Sequence, residues 1–390
     1  MVLALAVDAQ DRAYILCEGA LDFQSGVVTE SPRLGVVDLG VEEPVFSVLR
    51  VFEGHAFASD VVVASDGQSL YVAAEDTVYR LDAETGAVMA EQPLQGARKL
   101  AQAGDRVFVS RGDHDPVTWS SVPFDHYLVA LDAEDLTWQA GWAAASDEGP
   151  AFAGEGVCMA GGGLYVAVNN AFSYGEEVGL IGRVDLVSGQ YTEQELGDLG
   201  LNPVHLFDAG GGAVVSVNAR QYDGTSLSRW DGAGDAITLN VAEATAGCGA
   251  AAWHGDGVLY QVYGEGGFRK AHGTTLAESG IWDGNGQSVY AMAMLPGDRV
   301  LLGMTDFATV GSVELWDMEQ GWSWTVPVGV APGRLAVSSA VSEVPSAAAH
   351  NAHPVGAWDM MGRPLQGAGS GLRLVRWSDG TVTKEFRSAD

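Results

Sequence analysis

Cysteine is scarce, with Cys17, Cys158 and Cys248 spread singly along 390 residues. No CxxC pair and no Cys/His cluster occurs, so neither a zinc shell nor a disulfide framework is indicated, although one bridge among the three stays open. Each stands in an apolar or glycine-rich context and reads as a small core residue. Basic residues are also few: 20 Lys and Arg face 51 Asp and Glu, a formal net charge of −31. Binding phosphate needs cations at close range, so nucleic acid and anionic membrane are not expected as partners, and the acidic surplus reads as solubility. No run approaches the ~20 apolar residues that cross a bilayer. The opening "MVLALAVDAQ" has no basic start and no cleavage site, and reads as structure rather than a signal peptide. Helical periodicity is missing from every window of about twelve residues or more. So are a nucleophile elbow, HExxH, a P-loop and a strand-borne GxGxxG.

Glycine, at 52 residues, is abundant, and β-branched and aromatic residues are plentiful, a mix that suits many short strands joined by tight turns. The strands repeat. "RAYILCEG", "SLYVAAED", "DRVFVSRG", "GLYVAVNN", "GAVVSVNA", "GVLYQVYG" and "DRVLLGMTD" align on Tyr14, Tyr71, Phe108, Tyr165, Val215, Tyr260 and Leu301, about 37 to 57 residues apart. After a variable insert most are followed by a second motif, as in "VYRLDAETG" and "YLVALDAED". It puts Asp38, Asp82, Asp132, Asp185, Asp231 and Asp317 in register, with His272 near that place in the sixth unit. Asp caps its own turn and a following Gly accepts positive φ, so this is hairpin chemistry. Another apolar run precedes each unit and a fourth closes it.

Four strands per unit and a period of about 45 residues describe a propeller blade. The expected fold is therefore all-β: a seven-bladed β-propeller over residues 1–340, a linker over 341–354, and a small C-terminal β-hairpin segment over 355–390. A pair of sandwiches is the alternative architecture. Ring closure is expected from a strand at "GRLAVSSA", Gly333 to Ala340.

The C-terminal segment resembles the sorting signals of type IX secretion in Bacteroidota. "AWDMMGRPL" supplies Trp358, Asp359, Gly362 and Arg363, and "SGLRLVRWSDGTVTKEFR" supplies Gly371, Leu372, Val375, Arg376, Gly380, Lys384 and Arg387. Arg373 stands where an aromatic is common. The last blade resembles that of Bacteroidota surface seven-bladed propellers of the YVTN-repeat and unknown-function group, on Tyr290, Pro296, Asp306, Phe307, Gly311, Val313, Asp317, Gly329 and Pro332. These resemblances imply placement outside the cell or on the outer-membrane surface. They also imply small-molecule binding without catalysis, in some relatives capture of corrinoids beside an outer-membrane transporter. Export by this route needs a signal peptide, none is visible, and the true start is expected further upstream.

The long connections between second and third strands carry an aromatic beside a polar group in nearly every unit, which suits a large flat ligand or a glycan. The candidate ligand-binding residues there are Asp115, Trp119, Asn169, Asn170, Phe172, Tyr174, Arg220, Tyr222, Tyr263, Phe268, Asp306 and Phe307, with Phe23 and Phe124 near them. "GDHDP" groups Asp113, His114 and Asp115 but lacks the oxygen count of a hard-cation loop. His55, His205 and His254 follow blade junctions and read as hydrogen-bonded rim or core residues. No catalytic residue, metal ligand or cofactor is assigned, and the chain is expected to act as a monomer. Two other readings stay open: a metal-dependent hydrolase or lyase in the central channel, whose ligands would come from different blades, and a protein-interaction surface module.

Overall fold

Antiparallel four-strand meanders account for most of the described residues. A computed structural model describes residues 2–22, 25–41, 44–115, 118, 120–143, 153–169, 175, 177–220, 224–247, 249–282, 288–306, 308–319, 323–329, 332–337, 354–359, 371–377 and 382–387. Seven four-stranded sheets follow one another. Blade 1 is Val2–Val7, Arg12–Cys17, Arg33–Asp38 and Phe46–Val51; blade 2 is Asp60–Val63, Ser69–Ala74, Thr77–Asp82 and Val88–Pro93. Blade 3 is Ala97–Ala103, Arg106–Arg111, Leu128–Asp132 and Trp138–Trp142; blade 4 is Ala153–Ala160, Gly163–Asn169, Gly179–Asp185 and Tyr191–Glu195. Blade 5 is Pro203–Gly210, Ala213–Asn218, Thr225–Trp230 and Ile237–Ala242; blade 6 is Ala251–His254, Gly257–Tyr260, Phe268–His272 and Glu278–Trp282. Blade 7 is Ser288–Leu295, Arg299–Thr305, Ser312–Asp317 and Ser323–Pro327. The chain is a seven-bladed β-propeller, as the repeat requires.

Every blade is contiguous in sequence, and the opening residues form the first strand of blade 1. The expected closing strand does not appear. Residues 332–337 are irregular, and 338–340 lie outside the described residues. Pro332 instead lies against blade 7, where a Cβ added at Gly303 would run into its carbonyl oxygen at 2.6 Å. Beyond the blades, Pro354–Asp359, Gly371–Trp377 and Val382–Arg387 form a three-stranded antiparallel sheet within the C-terminal β segment expected there. Most of the stretch read as a linker lies outside the described residues.

The core sits between blades rather than within them. One apolar cluster fills each of the six successive junctions from blades 1–2 to blades 6–7. Strand alternation divides the second strand between two junctions: Leu70, Val72 and Ala74 face blade 1, and Tyr71 and Ala73 face blade 3. Both faces are thus buried, which is why the second-strand motif reads as an unbroken apolar run, while the outer strand Val88–Pro93 is largely exposed.

The repeated tyrosines tie junctions together. Tyr14 Oη lies 3.2 Å from the Ala83 carbonyl of blade 2, Tyr71 Oη donates to Ala133 O of blade 3 at 2.7 Å, and Tyr165 Oη to Gly212 O of blade 5 at 2.8 Å. Where blade 3 has Phe108, the guanidinium of Arg106 makes the equivalent reach, donating to Leu186 O of blade 4 at 2.9 Å. The registered aspartates cap their turns as expected: the Oδ1 of Asp38, Asp82, Asp132, Asp185, Asp231 and Asp317 each accepts a backbone N–H two or three residues on, at 2.8 to 3.1 Å.

Blade 6 departs from the sequence alignment by one residue. Leu259 faces blade 7, whereas Tyr260 faces blade 5, and its buried hydroxyl has no hydrogen-bond partner among the described residues. A one-residue slip moves every side chain to the other face of a strand, so the aligned tyrosine is not the structural counterpart of Tyr71.

Replacing Tyr71 by Phe is expected to cost about 1–2 kcal/mol in urea unfolding, because it removes the hydrogen bond to the partly buried Ala133 carbonyl. Tyr260→Phe is expected to be neutral or stabilising, since it removes a hydroxyl with no partner. Equal losses for the two would contradict this account of the junctions.

Candidate functional site

In an antiparallel meander the second-to-third connections emerge at one end of the sheet, together with the connections between blades. Propeller topology gathers all of these on one face, here the upper face. The turns joining first to second and third to fourth strands lie on the lower face. The irregular connections therefore share a rim. Blade 1 builds a short hairpin there, Ala20–Asp22 with Val27–Glu30, and blade 2 has only a two-residue turn, Glu75 and Asp76.

The first strands surround the axis, and near the upper end they bring charged groups from several blades together. Asp60 begins the first strand of blade 2, and its Oδ2 accepts the backbone N–H of Leu100 in blade 3 at 3.0 Å. The neighbouring Lys99 donates through Nζ to Ser59 O at 3.3 Å, and its charge acts on Asp60. Burial pushes the Asp60 carboxyl above the ordinary carboxylate range, against the opposing pull of Lys99, the Leu100 and Val61 amides and Arg334. His205, in the first strand of blade 5, places Nε2 2.9 Å from the Gly249 carbonyl. A carbonyl only accepts, so Nε2 carries the proton. Burial first, and then Arg334 and Lys99, hold this imidazole below its usual pKa, and the ring is neutral at pH 7. Arg334, from the irregular segment after blade 7, thus acts on residues of both blade 2 and blade 5. Among the described residues the mouth thus brings together Lys99, Arg334, the Asp60 carboxyl and a neutral imidazole.

The residues singled out from the sequence divide into three groups. Trp119, Asn170, Phe172, Tyr174, Tyr222 and Phe307, with Phe23, lie outside the described residues. Tyr263 is 67% exposed on the upper connection of blade 6. The others are held by their own surroundings. Asp306 accepts N–H bonds from Ala308 and Thr309, which with the Thr309 hydroxyl hold its carboxyl down at about 2. Asp115 likewise accepts from the Thr118 amide at 2.7 Å. Arg220 donates to Asn240 Oδ1 at 3.1 Å. Asn169 is 1% exposed and donates to Pro203 O across the 4–5 junction. Phe268 is 3% exposed, stacked on Trp282 with centroids 4.9 Å apart, and belongs to the 6–7 core; the third strand begins at that residue, so its side chain packs inward rather than onto the rim.

Phe124 is clamped by Arg111, whose guanidinium carbon lies 4.1 Å from the ring centroid, and packs over Gly96, where a Cβ would meet the ring at 2.7 Å. In "GDHDP", Asp113 caps the His114 amide, and His114 bridges to Ser121 as a miniature hairpin. His55 bonds Tyr79 Oη at 3.0 Å, and His254 meets Asp298 Oδ1 at 2.9 Å on the lower face. Cys17 and Cys158 are free and half-buried, and burial pushes the Cys158 thiol up to about 11. The axial cluster was not legible in the sequence, because Asp60, Lys99, His205 and Arg334 are far apart in the chain and meet only when the ring forms.

No protein-family model matches the chain, and no curated protein matches it in sequence. Solved propellers do match in structure. The computationally designed Ika8 protein aligns with a TM-score of 0.55 at 15% identity, over 99% of this chain and 96% of that one. The WD40 repeats of RRP9 align at 0.51 and 13% identity, over 75% and 87% of the two chains. The dihydro-heme d1 dehydrogenase NirN, solved in complex with DHE, aligns at 0.51 and 15% identity, over 83% and 75%. Identities this low carry the fold alone.

The raised pKa of Asp60 has a definite sign. A carboxyl raised in the folded state contributes stability that is full below its unfolded pKa and is lost as pH rises through the folded value. Asp60→Asn, which still accepts the Leu100 amide, is expected to raise stability at about pH 7 and to leave it unchanged at about pH 3. Chemical unfolding at the two pH values checks this, and a loss of equal size at both would contradict it.

Proposed function

We propose that the propeller captures a small molecule on its upper face, at the mouth of the axis, without converting it. The observation that carries this reading is the convergence of Lys99, Arg334 and the neutral His205 around Asp60 at the same end as the irregular connections. The cations Lys99 and Arg334 at the axis, on the same face as the exposed Tyr263, suit a flat ligand with hydrogen-bond acceptors at its edge. The carboxylates of Asp115 and Asp306 are occupied in capping their own loops, so they serve as architecture rather than as acids or bases.

The ligand class we favour is a corrinoid, a flat macrocycle with polar arms, ahead of a glycan. The resemblance of the last blade to surface propellers of the YVTN-repeat and unknown-function group supports it. So does NirN, a propeller of similar fold solved with DHE. The resemblance of Trp358–Arg363 and Gly371–Arg387 to type IX sorting signals supports export, with the propeller held at the cell surface beside an outer-membrane transporter. On this reading the C-terminal three-stranded sheet is a sorting element that takes no part in binding.

Thermal unfolding with cyanocobalamin, with neutral glycans and with buffer alone tests the reading. A ligand near 100 times its Kd is expected to add about 2.7 kcal/mol, and Lys99→Met or Tyr263→Ala is expected to reduce that gain. No stabilisation by the corrinoid at saturation would remove it as the ligand. A full gain in both variants would move the site away from this face.

A further inference from the structure

The junctions are filled differently, and the one between blades 6 and 7 stays open at its lower end. In blades 1 and 2 the tyrosine of the second strand crosses the wedge and ends against the carbonyl that follows the registered aspartate of the next blade, Ala83 after Asp82 and Ala133 after Asp132. At the 5–6 junction the small Val215 is compensated by Trp253 of blade 6, which packs into the same cluster. At the 6–7 junction the one-residue slip presents Leu259, which is too short to reach across. Met318, the residue after Asp317, is the counterpart of Ala83 and Ala133, and it lines a cavity of 460 Å³ instead of receiving a hydroxyl.

The walls of that cavity have a definite chemistry. Trp282 folds down over Gly280, where a Cβ would strike the indole at 2.6 Å, and with Met318 it gives an apolar wall. Around them stand Asp256, Asp298 and Glu319. Lys270 lies 3.4 Å from Asp256 and holds that carboxyl low, so the pair is neutral. Asp298 meets the His254 imidazole, and among the described residues no Lys or Arg pairs with it or with Glu319. The cleft therefore combines an aromatic and thioether wall with two carboxylates that no Lys or Arg among the described residues pairs, in a chain whose field already concentrates cations.

We propose that this lower cleft is a second ligand site, for a small organic ammonium ion whose hydrocarbon part lies against Trp282 and Met318 and whose charge sits between Asp298 and Glu319. The site is on the face opposite the proposed capture site and shares no residue with it, so either can fail without the other.

Calorimetric titration of the full chain with butylammonium chloride tests the proposal, with sodium butyrate and sodium chloride as controls at equal ionic strength. Butylammonium is expected to bind at one site per chain, and both controls to give no saturable heat. Leu259→Tyr, which fills the wedge and brings a hydroxyl toward Met318, is expected to weaken binding at least tenfold. Glu319→Gln combined with Asp298→Asn, both in exposed turns, is expected to weaken it by a similar factor and keeps the test decisive should Leu259→Tyr fail to fold. Absence of saturable butylammonium binding, or unchanged binding in the carboxamide variant, would overturn the proposal.

Discussion

A four-stranded sheet with two apolar faces cannot bury either of them alone. That constraint organises this molecule: each blade finds its solvent-free partner only in the next, so the chain closes around an axis instead of stacking into layers. Val72 and Tyr71 show it within one strand, since adjacent residues belong to different junctions. Burying a side chain of that size is worth about 1.5–3 kcal/mol. The gain exists only when the neighbouring blade is in place, and the tyrosine hydroxyls that reach neighbouring carbonyls add direction to packing that has none of its own.

The same constraint separates the two faces. The lower turns after the third strands are short and, in every blade but the sixth, capped by aspartate, and the carbonyls of Ala83, Ala133 and Leu186 in them are targets for the preceding blade. Upper connections carry no such duty, so they vary in length, and several of their polar residues are consumed in folding the loops themselves. What remains near the axis comes from first strands, as Asp60, Lys99 and His205 do, with Arg334 added from the segment after blade 7. A binding site there is a composite by necessity. The 6–7 cleft arises from the same rule in reverse, as the place where one blade fails to fill its neighbour's wedge.

Much of this was legible in the sequence because it is local. Asp82 and Asp132 announce their turns through residues within three positions, and an unbroken apolar run such as "SLYVAA" marks a strand buried on both sides. The errors came where a local signal competes with a tertiary one. Tyr260 attracted the alignment because it is aromatic, yet face selection depends on register, and Leu259 holds the position. Phe268 looked like a loop aromatic because the connection and the third strand cannot be divided by composition. Gly333 to Ala340 looked like a closing strand, but its described residues, 333–337, are irregular, and the charge of Arg334 acts on Asp60 and His205. The central cluster and the 6–7 cleft depend on what lies across a junction and leave no pattern in one dimension.

The mutual dependence of the blades is most directly tested by native-state hydrogen exchange of the intact chain, read for the second strand of every blade. The account predicts that amides around Leu16, Val72, Val109, Val166, Val217, Leu259 and Leu302 exchange last and at one common rate, set by opening of the whole ring. Any one of these strands exchanging orders of magnitude faster than the rest, while the others stay protected, would show a blade that holds its structure without its neighbour and would contradict it.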